Sequence, residues 1–212
     1  MSTLPMKRRR RRAKIFNLPN QLTGARLVLA VVMFALIVAE HYLASTVLFV
    51  IAASTDWLDG YYARKYGQVT TFGRILDPFA DKVIICGAFI LLSAIPRMLA
   101  TPGGLRSWMV VVLVGRELLV TALRSFIEER GGDFSANLSG KLKMVFQCVA
   151  ASVCLFYLHY PAGAPMGPWQ VPSQAPAWVW YLMVVSVWST LAITIYSGLV
   201  YIFVAVRLLR RR

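Results

Sequence analysis

Acidic residues and cysteines are scarce in this sequence. Its 212 residues include nine Asp or Glu and three Cys, and the stretch 144–206 contains no Asp, Glu, Lys or Arg. The three cysteines lie inside apolar stretches, with neither a disulfide framework nor a zinc-binding spacing. A secreted disulfide scaffold is therefore excluded, and the long uncharged stretch is incompatible with a disordered chain.

Apolar residues are abundant instead. They make up 58% of the chain and the mean hydropathy is +0.62, whereas soluble domains contain about 45–50% apolar residues. The pattern predicts an all-α, polytopic membrane protein with six transmembrane helices, and it leaves no room for a separate soluble catalytic domain. We expect a polybasic tail over 1–16 and one membrane domain over 17–212, with spans near 22–42, 43–63, 75–95, 106–127, 143–160 and 178–206.

The 23 Lys and Arg side chains predict the orientation of these spans. Six spans place both termini on one side, together with the basic loops, and leave only Arg97 and Arg106 on the other. We therefore expect a multi-pass protein, of the bacterial inner membrane, whose termini and active site are cytoplasmic. The basic tail should attract anionic lipids of the bilayer, and we expect no nucleic-acid partner.

Four carboxylates lie at the inner ends of two predicted spans, where an unpaired charge costs about 2.5–3.5 kcal/mol or more. They are Asp56, Asp59, Asp77 and Asp81. Their helical spacing groups them on two faces that can meet, and such a cluster would repel itself without bound cations. Oxygen ligands alone favour a pair of Mg²⁺ or Mn²⁺ ions holding a diphosphate. The alternative is that the acids pair with basic neighbours, namely Arg64, Arg74 and Lys82.

These residues form one longer motif, Asp56-x2-Asp59-Gly60-x2-Ala63-Arg64-x8-Gly73-x3-Asp77-x3-Asp81. The motif matches every fixed position of the signature of the CDP-alcohol phosphotransferase family, which the chain therefore resembles. The segment 17–26, with Asn20, Thr23 and Arg26, looks like the family's juxtamembrane helix. The segment 115–143 looks like the branch that uses glycerol 3-phosphate.

The resemblance implies a six-helix membrane enzyme that binds CDP-diacylglycerol in a cavity facing the cytoplasm, in a homodimer. It implies that Asp56, Asp59 and Asp77 bind two metal ions, and that Asp81 lies near the metals and acts as general base. The positions that would line the CDP site are Gly60, Ala63, Arg64 and Gly73.

A second polar cluster predicts the acceptor site. Its cations are Arg116, Arg124, Lys141 and Lys143. Cations within spans need anionic partners, and we expect Glu117 to satisfy only one of them, which leaves the others to bind the phosphate of the acceptor. The resemblance favours glycerol 3-phosphate, with inositol phosphate as the nearest alternative. Two other interpretations stay open: cations that merely mark the membrane boundary, and an intramembrane cation transporter.

Overall fold

The structure is a computed structural model that describes residues 18–66, 73–129, 138–163 and 173–210. Side chains are described for residues 21, 23–55, 79–127, 142–163 and 173–207. Throughout these ranges the regular structure is helical, as predicted. The seven helices are α1 (Leu18–Val38), α2 (Tyr42–Tyr66), α3 (Gly73–Ala94), α4 (Pro96–Ala100), α5 (Ser107–Glu129), α6 (Leu138–His159) and α7 (Ala177–Arg210). The predicted tail, residues 1–16, lies outside the described residues.

Each of the six predicted apolar segments corresponds to one long helix of 21 to 34 residues. The short helix α4 was not predicted, because five residues are too few for a hydrophobic period; Pro96 starts it at a position that tolerates proline. Within the described residues, α6 and α7 are long and apolar enough to cross a membrane, over Leu142–His159 and Ala177–Arg207.

The helix contacts divide the bundle into two parts. The six long helices form a closed ring in the order α1, α2, α6, α7, α5, α3, and α3 also contacts α6 across the ring. We call α1, α2, α3 and α6 the first lobe, and α3, α5, α6 and α7 the second lobe. Since α3 and α6 belong to both lobes, each presents one face to each of them.

Apolar side chains fill the space between the helices, with large residues packed against small ones. Phe49, Phe89 and Leu155 are almost completely buried, and so are Ala88 and Ala151. Small residues at such positions let neighbouring helices approach closely, which is how helices associate where water does not drive their packing. The core therefore sets the positions from which the polar side chains project.

Residues in α4 and in the loop after it form hydrogen bonds with α6 and α7. Arg97 donates a hydrogen bond to the carbonyl oxygen of Leu158, and the indole nitrogens of Trp180 and Trp188 donate to the carbonyl oxygens of Pro102 and Gly103 at 3.1 and 3.2 Å. Gly103 has φ +68°, a conformation that favours glycine. In the loop after α6, the backbone N–H of Gln174 donates a hydrogen bond to the carbonyl oxygen of Pro161, and residues 164–172 lie outside the described part.

Candidate functional site

Asp81 forms an ion pair with Arg26 inside the first lobe. The Arg26 Nη1 atom of α1 lies 3.1 Å from the Asp81 Oδ1 atom of α3, and the side chains are 2% and 23% exposed. A guanidinium at this distance offsets part of the cost of burying a carboxylate. Asp81 is thus held at a defined position although it lies among apolar side chains.

A small cavity of about 30 Å³ adjoins this ion pair. Its lining comes from α1, α2, α3 and α6: Arg26, Phe49, Ala52, Ala53, Asp81, Ile84, Ile85, Met144 and Cys148. Among the described lining side chains, Arg26 and Asp81 are the charged ones and the others are apolar or Cys148. The volume suffices for one or two water molecules.

The cavity is lined in part by α2 and α3, the two helices on which the signature lies. Asp56 follows Ala52 by four residues on α2, and Asp77 precedes Asp81 by four residues on α3, so each aspartate continues a face that lines the cavity. The backbone of α2 also carries Asp59. The side chains at the remaining predicted positions lie outside those described: Asn20, Asp56, Asp59, Gly60, Ala63, Arg64, Gly73, Asp77 and Lys141.

The donor set predicted for the metals contains carboxylate oxygens only, which suits a hard divalent cation and not zinc. Asp81 is the one member whose side chain is described. Among the described side chains, no three Asp, Glu, His or Cys residues come together. The fit to Mg²⁺ or Mn²⁺ therefore rests on the chemistry of the four aspartates and on the two faces that meet at the cavity.

Two of the three predicted N-terminal residues are buried on α1. Thr23 and Arg26 are each 2% exposed, and their spacing of three places them on one face of the helix. Arg26 contacts Asp81, so α1 contributes a charged side chain to the surroundings of the candidate base. The alternative in which Asp81 pairs with Lys82 does not hold, since Lys82 Nζ donates instead to Thr121 Oγ1 of α5 at 2.6 Å.

The second predicted cluster is centred on Glu117, in the second lobe. Its Oε1 atom accepts hydrogen bonds from Arg116 Nη1 at 3.2 Å, from Lys143 Nζ, and from Gln147 Nε2 at 3.5 Å. The expectation that Glu117 would satisfy only one cation is therefore wrong. Lys143 lies one turn before Gln147 on α6, so both reach the same oxygen atom from one helical face. Lys143 is buried, which also argues against its being a boundary marker.

Arg116 has further partners on α7. Its Nη2 atom donates to Ser197 Oγ at 2.5 Å, and its guanidinium lies 5.4 Å from the centre of the Tyr201 ring. A Cβ atom at Gly198 would lie only 3.2 Å from Arg116 Cγ, so glycine gives the arginine stem its space. Arg116 is thus surrounded by protein groups and connects α5 to α7.

Arg124 differs from Arg116 and Lys143. It is half-buried and forms no ion pair with Glu117. Its Nε atom is buried without a hydrogen-bond partner, as is that of Arg116. Thr121 lies three residues earlier on α5 and donates its hydroxyl proton to the Glu117 carbonyl oxygen at 2.7 Å. Arg124 therefore keeps unused hydrogen-bonding capacity, and its charge is not neutralised by any acidic side chain that the structure describes.

Sequence reasoning missed the uncharged members of the second cluster, which are Gln147, Ser197 and Tyr201. A signal was present, because Gln147 follows Lys143 by four residues and Tyr201 follows Ser197 by four. Each pair therefore occupies one helical face. Isolated polar residues in apolar helices are common, however, and the spacing alone does not reveal the partner.

Comparison with known proteins agrees with this arrangement. The CDP-alcohol phosphatidyltransferase family matches residues 16–196 of the chain. A Bacillus subtilis (strain 168) protein is 38% identical over 158 residues, 68% of this chain and 78% of the relative. Proteins of Salmonella typhimurium and Escherichia coli K12 are 37% and 36% identical over 150 residues, 66% of this chain and 78% of each relative. All three are named CDP-diacylglycerol--glycerol-3-phosphate 3-phosphatidyltransferase.

The matched residues include the whole signature and most of both lobes, from the start of α1 into α7. A match of this extent covers the ion pair, the cavity and the members of the Glu117 cluster on α5 and α6, and it ends one residue before Ser197. The chain belongs to the CDP-alcohol phosphatidyltransferase family of membrane enzymes.

Proposed function

We propose that this enzyme transfers the phosphatidyl group of CDP-diacylglycerol to sn-glycerol 3-phosphate, giving phosphatidylglycerophosphate and CMP in phospholipid biosynthesis. The observation that carries the proposal is the shared name of three relatives that are 36–38% identical over two thirds of the chain. The full signature supports the same reaction class.

In the first lobe, Asp56, Asp59, Asp77 and Asp81 would hold two Mg²⁺ or Mn²⁺ ions. When bound, the ions supply positive charge that neutralises the diphosphate and stabilises CMP as a leaving group. Gly60, Ala63, Arg64 and Gly73 would line the CDP site; small residues leave room for the nucleotide and the arginine adds a cation for phosphate. These positions all lie on α2 and α3.

Asp81 acts as the general base. The hydroxyl oxygen of the acceptor attacks the phosphorus atom that carries diacylglycerol, a new P–O bond forms, the P–O bond to CMP breaks, and the hydroxyl proton passes to the Asp81 carboxylate. Arg26 holds that carboxylate at the cavity edge.

The cations predicted to bind the acceptor supply a positive potential. Arg116 and Lys143 carry two positive charges and Glu117 carries one negative charge, so this buried group has a net charge of +1. Arg124 and Lys141 add to it. A potential of this sign favours an acceptor that carries phosphate over a neutral alcohol.

We propose that the six long helices are six membrane spans, with both termini and the signature on the cytoplasmic side. A helix of 21 residues is about 31 Å long, which matches the hydrocarbon core of a bilayer. In the sequence segment 83–115, which runs from α3 through α4 into α5, the only Lys or Arg residues are Arg97 and Arg106, and the signature lies at the other end of α3. The basic tail would bind anionic lipids, and the enzyme would act as a homodimer.

An acceptor panel tests the reaction. Purified protein is given CDP-diacylglycerol, Mg²⁺ or Mn²⁺, and glycerol 3-phosphate, inositol phosphate, glycerol or serine, and CMP release is measured. We expect release with glycerol 3-phosphate and complete loss of turnover in excess EDTA, reversed by adding either metal. Faster CMP release with inositol phosphate would identify that compound as the acceptor. Full turnover in EDTA would exclude the two-metal site.

A further inference from the structure

Two cations of the second lobe differ from the buried pair at Glu117. Lys82 is half-buried, and its one hydrogen bond is to the neutral Thr121 hydroxyl. Arg124 is also half-buried, and its Nε–H has no hydrogen-bond partner, which is true of Arg116 too. Neither Lys82 nor Arg124 has a carboxylate within ion-pair distance among the described side chains. Both cations are therefore available to an anionic ligand, which can accept charge-assisted hydrogen bonds from them.

Lys82 and Arg124 are both neighbours of Thr121. Lys82 reaches Thr121 from α3, and Arg124 follows Thr121 by three residues on α5, which makes them neighbours on the helix surface. The Thr121 hydroxyl already donates to Glu117, so it accepts from Lys82 and holds the ammonium group in place. An ammonium has three donors, and two of these remain for a ligand.

The position of Lys82 in the chain connects this pair to the reaction. Lys82 follows Asp81 directly, and the 100° step between successive helical residues turns it from the cavity of the first lobe to α5 of the second lobe. A ligand anion held by Lys82 would therefore lie beside the helix turn that carries the general base. An alcohol that carries a phosphate could then place its hydroxyl group toward Asp81.

Resting on the reaction proposed above, we propose that Lys82 is a further acceptor-binding residue, which together with Arg124 binds the phosphate of the acceptor and selects phosphorylated alcohols. Arg116 and Lys143 then have a different role. They share Glu117 and position α5, α6 and α7, while Lys82 and Arg124 contact the ligand.

The test compares Lys82→Met with wild-type enzyme in vesicles of zwitterionic lipid. We expect the KM for glycerol 3-phosphate to rise about 10- to 100-fold, the usual effect of losing one hydrogen bond to a charged group. The kcat and the metal-dependent binding of CDP-diacylglycerol should stay near wild type. Lys82→Arg should recover most of the affinity, and the preference for glycerol 3-phosphate over glycerol should fall in Lys82→Met.

Arg207→Met is the matched control. Arg207 is an exposed cation of α7, outside the site, and its removal lowers the charge of the protein by the same amount. It should leave the KM for glycerol 3-phosphate unchanged. An equal rise in both variants would mean general electrostatic attraction and would overturn the assignment.

The remaining outcomes separate the possible sources of the anion. An effect of Lys82→Met that appears only when anionic lipid is added to the vesicles, or only in the KM for CDP-diacylglycerol, would assign Lys82 to a lipid phosphate and overturn the proposal. An unchanged KM would do the same. If wild-type enzyme releases no CMP with any phosphorylated acceptor, the proposed reaction itself fails, and that result is seen before any variant is made.

Discussion

The two lobes share α3 and α6, and each contains one carboxylate in its interior. The exposure and the surroundings of these two carboxylates differ. In the first lobe, Asp81 borders a cavity and its side chain is 23% exposed. In the second lobe, Glu117 is 10% exposed, and three donors from two helices converge on one of its oxygens. A carboxylate that keeps access to a cavity can accept a proton from a substrate, whereas one saturated by donors fixes the packing of its neighbours.

Consecutive residues of α6 face different carboxylate environments, the cavity beside Asp81 and the cluster at Glu117. Met144 and Cys148 line the cavity, while Lys143 and Gln147, one residue earlier in each case, contact Glu117. A step of one residue rotates the side chain by 100°, which suffices to move it from one lobe to the other. On α6, the two faces of one helix therefore contribute to different sites: one face lines the cavity and the other contacts Glu117.

The largest effect is expected from Asp81→Asn, which keeps the side-chain volume but removes the basic oxygen. Turnover should fall at least about 100-fold, while CDP-diacylglycerol still binds in the presence of metal. CMP release and a binding assay measure the two effects. Glu40→Gln, which removes an exposed carboxylate beyond α1, is the control and should keep wild-type turnover. If Asp81→Asn retains more than a tenth of the activity, the base lies elsewhere.

The corresponding change in the second lobe, Glu117→Gln, should act on stability. It leaves Arg116 and Lys143 close together without a carboxylate, which costs about 3–5 kcal/mol and lowers the apparent Tm by about 6–20 °C for a chain of this size. Thermal unfolding in detergent measures it. Adding Lys143→Met removes one uncompensated cation and should recover at least half of the loss. An unchanged Tm in Glu117→Gln would remove the distinction between the lobes.

The smallest effects come from changing one cation to another. Arg26→Lys keeps the charge but loses the planar donor geometry toward Asp81, and we expect about a tenfold lower kcat with little change in Tm.

In Arg116→Lys, the single ammonium group cannot contact Glu117 and Ser197 together, so the Tm should fall by about 2–4 °C, equivalent to about 1 kcal/mol. The same pair of assays measures both variants. A reversal of the two patterns would mean that the lobes have been assigned the wrong way round.

Much of the helical framework could be predicted from the sequence. Long apolar runs form helices because the backbone must satisfy its own hydrogen bonds among apolar groups, and that requirement is local. The six long helices were therefore predicted in number and approximate position. The helix α4 was not, because its placement depends on contacts such as that of Arg97 with Leu158, 61 residues away.

The candidate site was predicted in part. The spacing of the aspartates is a local property, so the signature and the likeness to a metal-dependent transferase were visible without coordinates. The partner of Asp81 was not, because Arg26 lies 55 residues earlier on another helix. Nor could the sequence show that Lys82 turns toward Thr121 and not toward the acids.

The sequence by itself determined the helices, the charge distribution and the aspartate motif, since each depends on residues close together in the chain. Only the tertiary structure decided which helices are neighbours, and hence that Arg26 reaches Asp81 while Arg116 and Lys143 share Glu117. The physical reason is that helix packing is set by the fit of many side chains along whole faces. A polar residue acquires its partner only after that fit has placed two helices side by side.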